Sequence, residues 1–271
     1  MKGSFSHCAS VACYSAKLSL QRQLEYPAFL LSWGLMIPIQ YFSGIWMLHV
    51  LSTRFEALSG WTFPQIAFLY GLALFSHGLQ VVFFIPTWQI EWMVTNAGFD
   101  RLIVRPMDML FQLLTRVVNL IGCIDLIPGT LIFLYGCLHL NIPWSMTNVL
   151  LLIVTVLGAT LLRAGLYLLV NSLAFWTMRS GSLNSLILEI QQRGSMYPLS
   201  FYPWFLQWIF SLLIPVAFIS FYPAADWLNV DVPRPLPVGI SLATPLVGLL
   251  VFWIGTKIFR AGLKRYESTG S

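Results

Sequence analysis

Charge is scarce in this chain: only 9% of its 271 residues are Asp, Glu, Lys or Arg, where soluble domains carry about 25%. A water-facing surface of ordinary extent cannot be made from so few ionic groups. The 15 Lys and Arg outnumber the 10 Asp and Glu, but they form no dense basic stripe, which excludes a nucleic-acid partner. Cysteine is sparse too. Cys8, Cys13, Cys123 and Cys137 show no C-x-x-C spacing, and the last two stand in apolar runs, where thiols pack as small hydrophobes.

The motifs of catalysis are also missing. No G-x-x-x-x-G-K-[ST] loop exists to hold phosphates, and Gly255-Thr256-Lys257 is an incomplete echo. No His-Glu-x-x-His exists; His7, His49, His77 and His139 each lack a carboxylate at helical spacing that could share a metal. Gly181-Ser182 sits in a polar stretch without a buried histidine partner. The chain is therefore expected to be non-catalytic, with no cofactor or metal of its own. The first 27 residues carry Lys17, Arg22 and Glu25 and lack the short apolar core of a cleaved signal, so the mature chain is expected to begin near Met1.

What is abundant is apolar: 58% of residues are hydrophobic and the mean hydropathy is +0.76. Crossing about 30 Å of hydrocarbon needs roughly 20 such residues in a helix. Six runs qualify: Ala28 to Leu51, Phe63 to Ile85, Met109 to Leu138, Val149 to Trp176, Trp204 to Tyr222 and Leu236 to Phe259. The fold class is thus an all-α polytopic membrane protein with six transmembrane helices. Pro38, Pro128, Pro215 and Pro245 fall inside the runs and suggest kinks.

Basic residues are retained on the cytoplasmic side of a membrane. Six spans place Lys2, Lys17, Arg22, Arg101, Arg105, Arg179, Arg193, Lys257, Arg260, Lys264 and Arg265 on one side, against Arg54 and Arg234 on the other. Both termini are therefore expected in the cytoplasm. Tryptophans agree: Trp46, Trp61, Trp144 and Trp227 fall at the outer ends, and Trp88, Trp92, Trp176, Trp204 and Trp208 at the inner ends.

Ahead of the first run, Phe5, Cys8, Val11, Ala12 and Leu18 recur at roughly helical spacing beside Lys17, Gln21 and Arg22, the pattern of a helix lying in the interface. The longer inner connections are Trp88 to Asp108 and Thr177 to Tyr202. The first interleaves charged and apolar residues from Glu91 onward. Phe99, Leu102 and Ile103 read as docking anchors on a cytoplasmic partner, and Asp100, Arg101 and Arg105 as orienting charges, with Gly98 and Pro106 as punctuation. Inside the runs stand Arg116, Asp125 and Arg163. Arg116 lies close enough to the inner edge to snorkel, whereas Asp125 and Arg163 fall at similar midplane depth. They are expected to pair across helices as a staple, with a substrate-facing or proton-linked site as the other reading.

Phe99-Asp-Arg-Leu-Ile-Val-Arg-Pro-Met107, Tyr197-Pro-Leu-Ser-Phe-Tyr-Pro203 and Ile214-Pro-Val-Ala-Phe-Ile-Ser-Phe-Tyr-Pro-Ala224 carry a resemblance that covers essentially the whole chain. It resembles the type-2 ABC transporter permeases, and within them a bacterial family of six-span exporter subunits. The resemblance implies a permease that pairs with an identical or sister permease and sits on two ABC ATPase subunits, which bind the ATP and Mg. It implies an interfacial connecting helix over residues 1–27, a permease domain over 28–259 with a coupling segment at 88–108, and a cytoplasmic tail over 260–271. Glu91, Phe99, Asp100, Arg101, Leu102, Arg105 and Pro106 would contact the ATPase. The expected setting is the bacterial cytoplasmic membrane. The loop from Pro223 to Pro235 is too short for an external domain, which favours export of a small amphipathic or lipophilic compound over a polymer. The alternative is a non-conducting scaffold or regulatory subunit of a membrane complex.

Overall fold

A computed structural model describes residues 5–54, 60–140, 142 and 144–267. Lys2 and the side chains of Phe5, His7, Cys8 and Arg54, which bear on the interfacial-helix and charge-asymmetry expectations, lie outside the described residues. Five helical stretches are long and apolar enough to cross a membrane: Pro27–Thr53, Phe63–Thr95, Leu120–His139, Met146–Thr177 and Ile240–Leu263. A shorter apolar helix covers Trp204–Leu213. The all-α polytopic fold expected from hydropathy is what the chain adopts.

In order, α1 (Phe5–Leu24) leads into α2 (Pro27–Arg54), the first span. The second span is α3 (Phe63–Phe84), tightened at Pro86 into a 3-10 turn and continued by α4 (Ile90–Thr95). The short α5 (Asp100–Ile103) and α6 (Met109–Thr115) precede α7 (Leu120–His139), the third span. Then α8 (Met146–Ser172) is prolonged by α9 (Ala174–Thr177), and α10 (Gly181–Met196) follows. After it come α11 (Trp204–Trp208), a π turn (Ile209–Leu213), α12 (Phe221–Trp227) and the last span, α13 (Thr244–Leu263).

The second span is the centre of the bundle, with 78% of its most apolar window buried against 17% in the first and 22% in the last. The first and last spans therefore turn exposed Leu and Trp side chains outward from the bundle. Small residues let the helices close, as is common where lipid supplies no hydrophobic drive between helices. A Cβ on Gly248 of α13 would lie 2.1 Å from the Gly158 carbonyl oxygen of α8, and one on Gly122 of α7 would lie 2.6 Å from the Gly78 carbonyl oxygen of α3. Only glycine permits these approaches.

The first departure from the hydropathy reading is the third span, which starts at Leu120 and not at Met109. Asp108 caps α6 by accepting from the Phe111 N–H at 3.0 Å, and Asn119 caps α7 by accepting from Ile121 at 2.8 Å. Between them the β-branched pair Val117-Val118 leaves the helix. The freed groups are taken by α1: Ser19 and the Gln23 amide donate to the Val118 carbonyl at 3.0 and 2.7 Å, and Gln23 accepts from the Leu120 N–H at 2.9 Å. Arg116 thus ends α6 outside the span.

The fifth crossing is the second departure, for it is built in two pieces. The stretch Thr177 to Tyr202 reads as a loop because of Glu189, Gln191, Gln192 and Arg193, yet most of it is α10, whose polar groups find partners inside the bundle. At its start Ser180 donates to the Glu91 carboxylate at 3.1 Å; near its end Ser195 meets Arg163 of α8. It therefore climbs from the end of the bundle where α1 and the close of α13 lie to its middle. From there α12 completes the crossing, reaching Trp227 beside Phe68 and Trp144 at the far end. Residues 197–215 form a side arm between the two pieces. Pro215 stands at the break beyond this arm, and Pro245 occupies the first turn of α13, so neither kinks a helix interior; Pro38 and Pro128 do lie within helices.

Candidate functional site

A buried polar layer crosses the bundle at mid-depth. Arg163 on α8 is 1% exposed and fully engaged. Its Nε donates to Ser76 Oγ at 3.0 Å, Nη2 to Ser195 Oγ at 2.6 Å and to the Ala73 carbonyl at 3.3 Å, and Nη1 to Gln191 Oε1 at 3.4 Å. Gln191 returns a bond to the Arg163 carbonyl, and Ser220 donates to the Ser195 carbonyl. One guanidinium fork thereby joins α3, α8 and α10, and reaches the foot of α12 through Ser195.

Asp125 on α7, 3% exposed, belongs to a different cluster. Tyr41 of α2 lines the same cavity as its carboxylate, and His77 Nε2 of α3 stands 3.9 Å away. The expected Asp125–Arg163 pair does not form. Ser76 and His77 are consecutive on α3, about 100° apart around the helix; Ser76 takes the bond from Arg163, while His77 stands beside Asp125. Asp125 and His77 border a cavity of about 250 Å³ between α2, α3, α7 and α10, whose walls include Trp33, Gln40, Tyr41 and Trp88.

On α10, one turn from this layer, Glu189 and Arg193 form an ion pair at 2.6 Å with side chains 57% and 72% exposed. Arg193 stands 12 residues into α10, about 18 Å along its axis, two residues before the Ser195 that meets Arg163.

At the end carrying the termini, the expected coupling segment is tied into the bundle. Glu91 is held by Ser180, which also bonds Asn171 at 3.3 Å. Phe99 is fully buried among Phe175, Phe259 and Tyr266, with ring centroids 5.3, 6.1 and 5.6 Å away, and Leu102 is buried too. Both were expected to anchor on a partner; they instead anchor the segment to α9 and α13. Asp100 accepts from the Tyr266 hydroxyl at 2.7 Å, and burial followed by this carboxylate pushes the phenol up to about 12, so it stays protonated and donates. Asp108 pairs with Arg260 at 3.1 Å. Left facing outward are Arg101, Ile103, Val104, Arg105 and Pro106, Val104 being 82% exposed.

The far end is locked by Asp226 and Arg234, paired at 2.6 Å and largely buried. Burial alone would raise the Asp226 carboxyl, but hydrogen bonds from Ser241, Gly239 and Arg234 outweigh it and hold it below the usual carboxylate value. This clasp went unnoticed in the sequence, as did Tyr41, Ser76, Gln191 and Ser195. The signal for the last two was a polar run too regular for a loop, with Gln191 and Ser195 at helical spacing.

Among the described residues no group of three or more His, Cys, Asp or Glu side chains is placed to hold a metal ion. A family model described as ABC-2 family transporter protein matches residues 38–270. No curated protein and no solved structure matches the chain.

Proposed function

From the premise that this chain belongs to the ABC-2 family of transporter proteins, as its match over residues 38–270 shows, we propose that it is the permease half of an ATP-driven exporter. It is a multi-pass membrane protein, and its family implies an ABC ATPase partner. In this reading ATP is hydrolysed on that partner, and a second permease, identical or sister, completes the conduit.

The observation that carries the reading is the Glu189–Arg193 pair. An exposed ion pair most of the way up a helix that starts at the membrane edge is unfavourable against hydrocarbon and favourable against water. The α10 face bearing it lines the path, and the cavity at Asp125 and His77 opens behind the same helix. The excess of Lys and Arg at the end where α1 and the close of α13 lie supports a cytoplasmic setting for that end, and the reading takes the membrane to be a bacterial inner membrane.

The exposed Ile103, Val104 and Arg105 dock the ATPase. Because Phe99 and Tyr266 bind that turn to the ends of the fourth and sixth spans, its displacement moves those spans directly, and alternating access follows. The absence of room for an external domain between α12 and α13 favours a small amphipathic or lipophilic cargo. Mild-detergent purification of the chain tests the role: an ABC ATPase should come with it and hydrolyse ATP faster than when alone. An ATPase recovered at equal rate with and without the chain would point to a scaffold.

A further inference from the structure

Four arginines converge where α1, α5 and α6 meet. Arg22 comes from α1, Arg101 from α5, Arg105 from the turn after it, and Arg116 closes α6; with Tyr14 and Gln112 they border a pocket of about 390 Å³. Among the described residues none of the four is ion-paired with a carboxylate. The acids flanking Arg101 and Arg105 are engaged elsewhere, Asp100 by Tyr266 and Asp108 by Arg260, and Glu25, three residues after Arg22, forms no ion pair with it. Arg116 donates to Met93 Sδ and Arg22 to the Leu18 carbonyl, both at 3.3 Å, which leaves their charge uncompensated. Burial first, and then the charges of Arg22 and Arg101, work against the protonated form of Arg116. A cluster held together against its own repulsion is completed by an anion.

Its depth identifies the anion. Arg22 stands five residues before the first span at Pro27, and Arg116 four before the third at Leu120. Both are therefore at the level where hydrocarbon gives way to headgroups. Val11, Leu18, Leu102 and Met107 share the pocket walls, which suits the glycerol end of a lipid better than a free ion.

We propose that this pocket holds the phosphate of an anionic phospholipid from the leaflet on the side of the termini. Guanidinium forks bind phosphate oxygens in pairs and keep their charge at every working pH. An extra headgroup charge would draw Arg101 and Arg105 inward. The bound lipid would pin α1 to the coupling segment. This requires only that the chain is embedded in a membrane, so it stands or falls separately from the permease reading.

The test is native mass spectrometry of the full chain with phosphatidylglycerol or phosphatidylcholine added at equal amounts. The expected result is about tenfold preferential retention of the anionic lipid, its loss in an R22Q/R116Q variant, and partial recovery in R22K/R116K, where charge remains but the fork does not. R101Q/R105Q, whose side chains are exposed and whose folding is not at stake, should lower the preference by about threefold. No preference in the unaltered chain, or the same preference in both Gln variants, would overturn the proposal. So would displacement of the lipid by millimolar inorganic phosphate, which would mark a free-anion site. Loss of the co-purifying ATPase in these variants with lipid retention unchanged would assign the arginines to that protein instead.

Discussion

Replacing Arg163 by Gln removes the fork that joins α3, α8 and α10 while keeping an uncharged side chain that can satisfy one or two of the old partners. Three side-chain bonds are at stake, to Ser76, Ser195 and Gln191. Side-chain hydrogen bonds inside membrane bundles contribute about 0.6 kcal/mol on average and up to about 1.7. Together they give about 2–5 kcal/mol, the range also seen when a buried charge network is broken. Reversible unfolding in mixed micelles measures it. Partners are then resolved by double-mutant cycles: R163Q with Ser195→Ala should couple by about 1 kcal/mol, since they share the 2.6 Å bond. R163Q with Asp125→Asn should couple by less than about 0.5 kcal/mol, because the two side chains form no ion pair and share no hydrogen-bond partner. A larger coupling to Asp125 than to Ser195 would refute the division of the polar layer into two clusters and restore the direct staple.

Three further outcomes are expected. Gly248→Leu would drive side-chain atoms into the Gly158 carbonyl and part α8 from α13; overpacking costs about 1–3 kcal/mol or more, visible as loss of monodisperse protein on size-exclusion chromatography. Phe99→Ala should cost about 3–5 kcal/mol of stability, whereas Ile103→Ser with Val104→Ser should leave melting unchanged and reduce the ATPase recovered in pull-downs. At the far end the Asp226 carboxyl is depressed in the fold, so the clasp stabilises fully above the ordinary carboxylate value near about pH 4 and is lost as pH falls through its lower folded value. Asp226→Asn should be less stable at neutral pH, and its melting temperature should lose that acid-side decline.

Hydropathy found the spans whose helices are continuous and apolar, because length and composition alone specify them. It failed where polarity is satisfied inside the bundle. The run Glu189 to Arg193 reads as a solvated loop, yet it is helical: Gln191 turns inward to serve Arg163, while the charged pair faces outward from the bundle. Conversely, Met109 to Leu138 reads as one span because its hydropathy is continuous, while the break at Val117-Val118 depends on caps and on Gln23 from a distant helix. The two buried charges were paired wrongly. Depth follows from counting residues, but facing depends on which side of α3 each neighbour packs. Likewise the turn that follows Gly98 was legible as a turn, although which of its apolar residues point inward was set by Phe175, Phe259 and Tyr266, far away in sequence.

The central claim is that the α10 face carrying Glu189 and Arg193 borders a water-filled path whose access follows the ATPase cycle. Leu186 lies on that face, seven residues before Arg193, and is exposed. A single cysteine at Leu186, on a background without Cys8, Cys13, Cys123 and Cys137, reports it in the assembled transporter. A charged, membrane-impermeant thiol reagent should modify it rapidly from the cytoplasmic side without nucleotide and much more slowly from that side with ATP trapped. No modification in either state, together with ready reaction with a lipid-soluble maleimide, would place this face in the bilayer and contradict the claim.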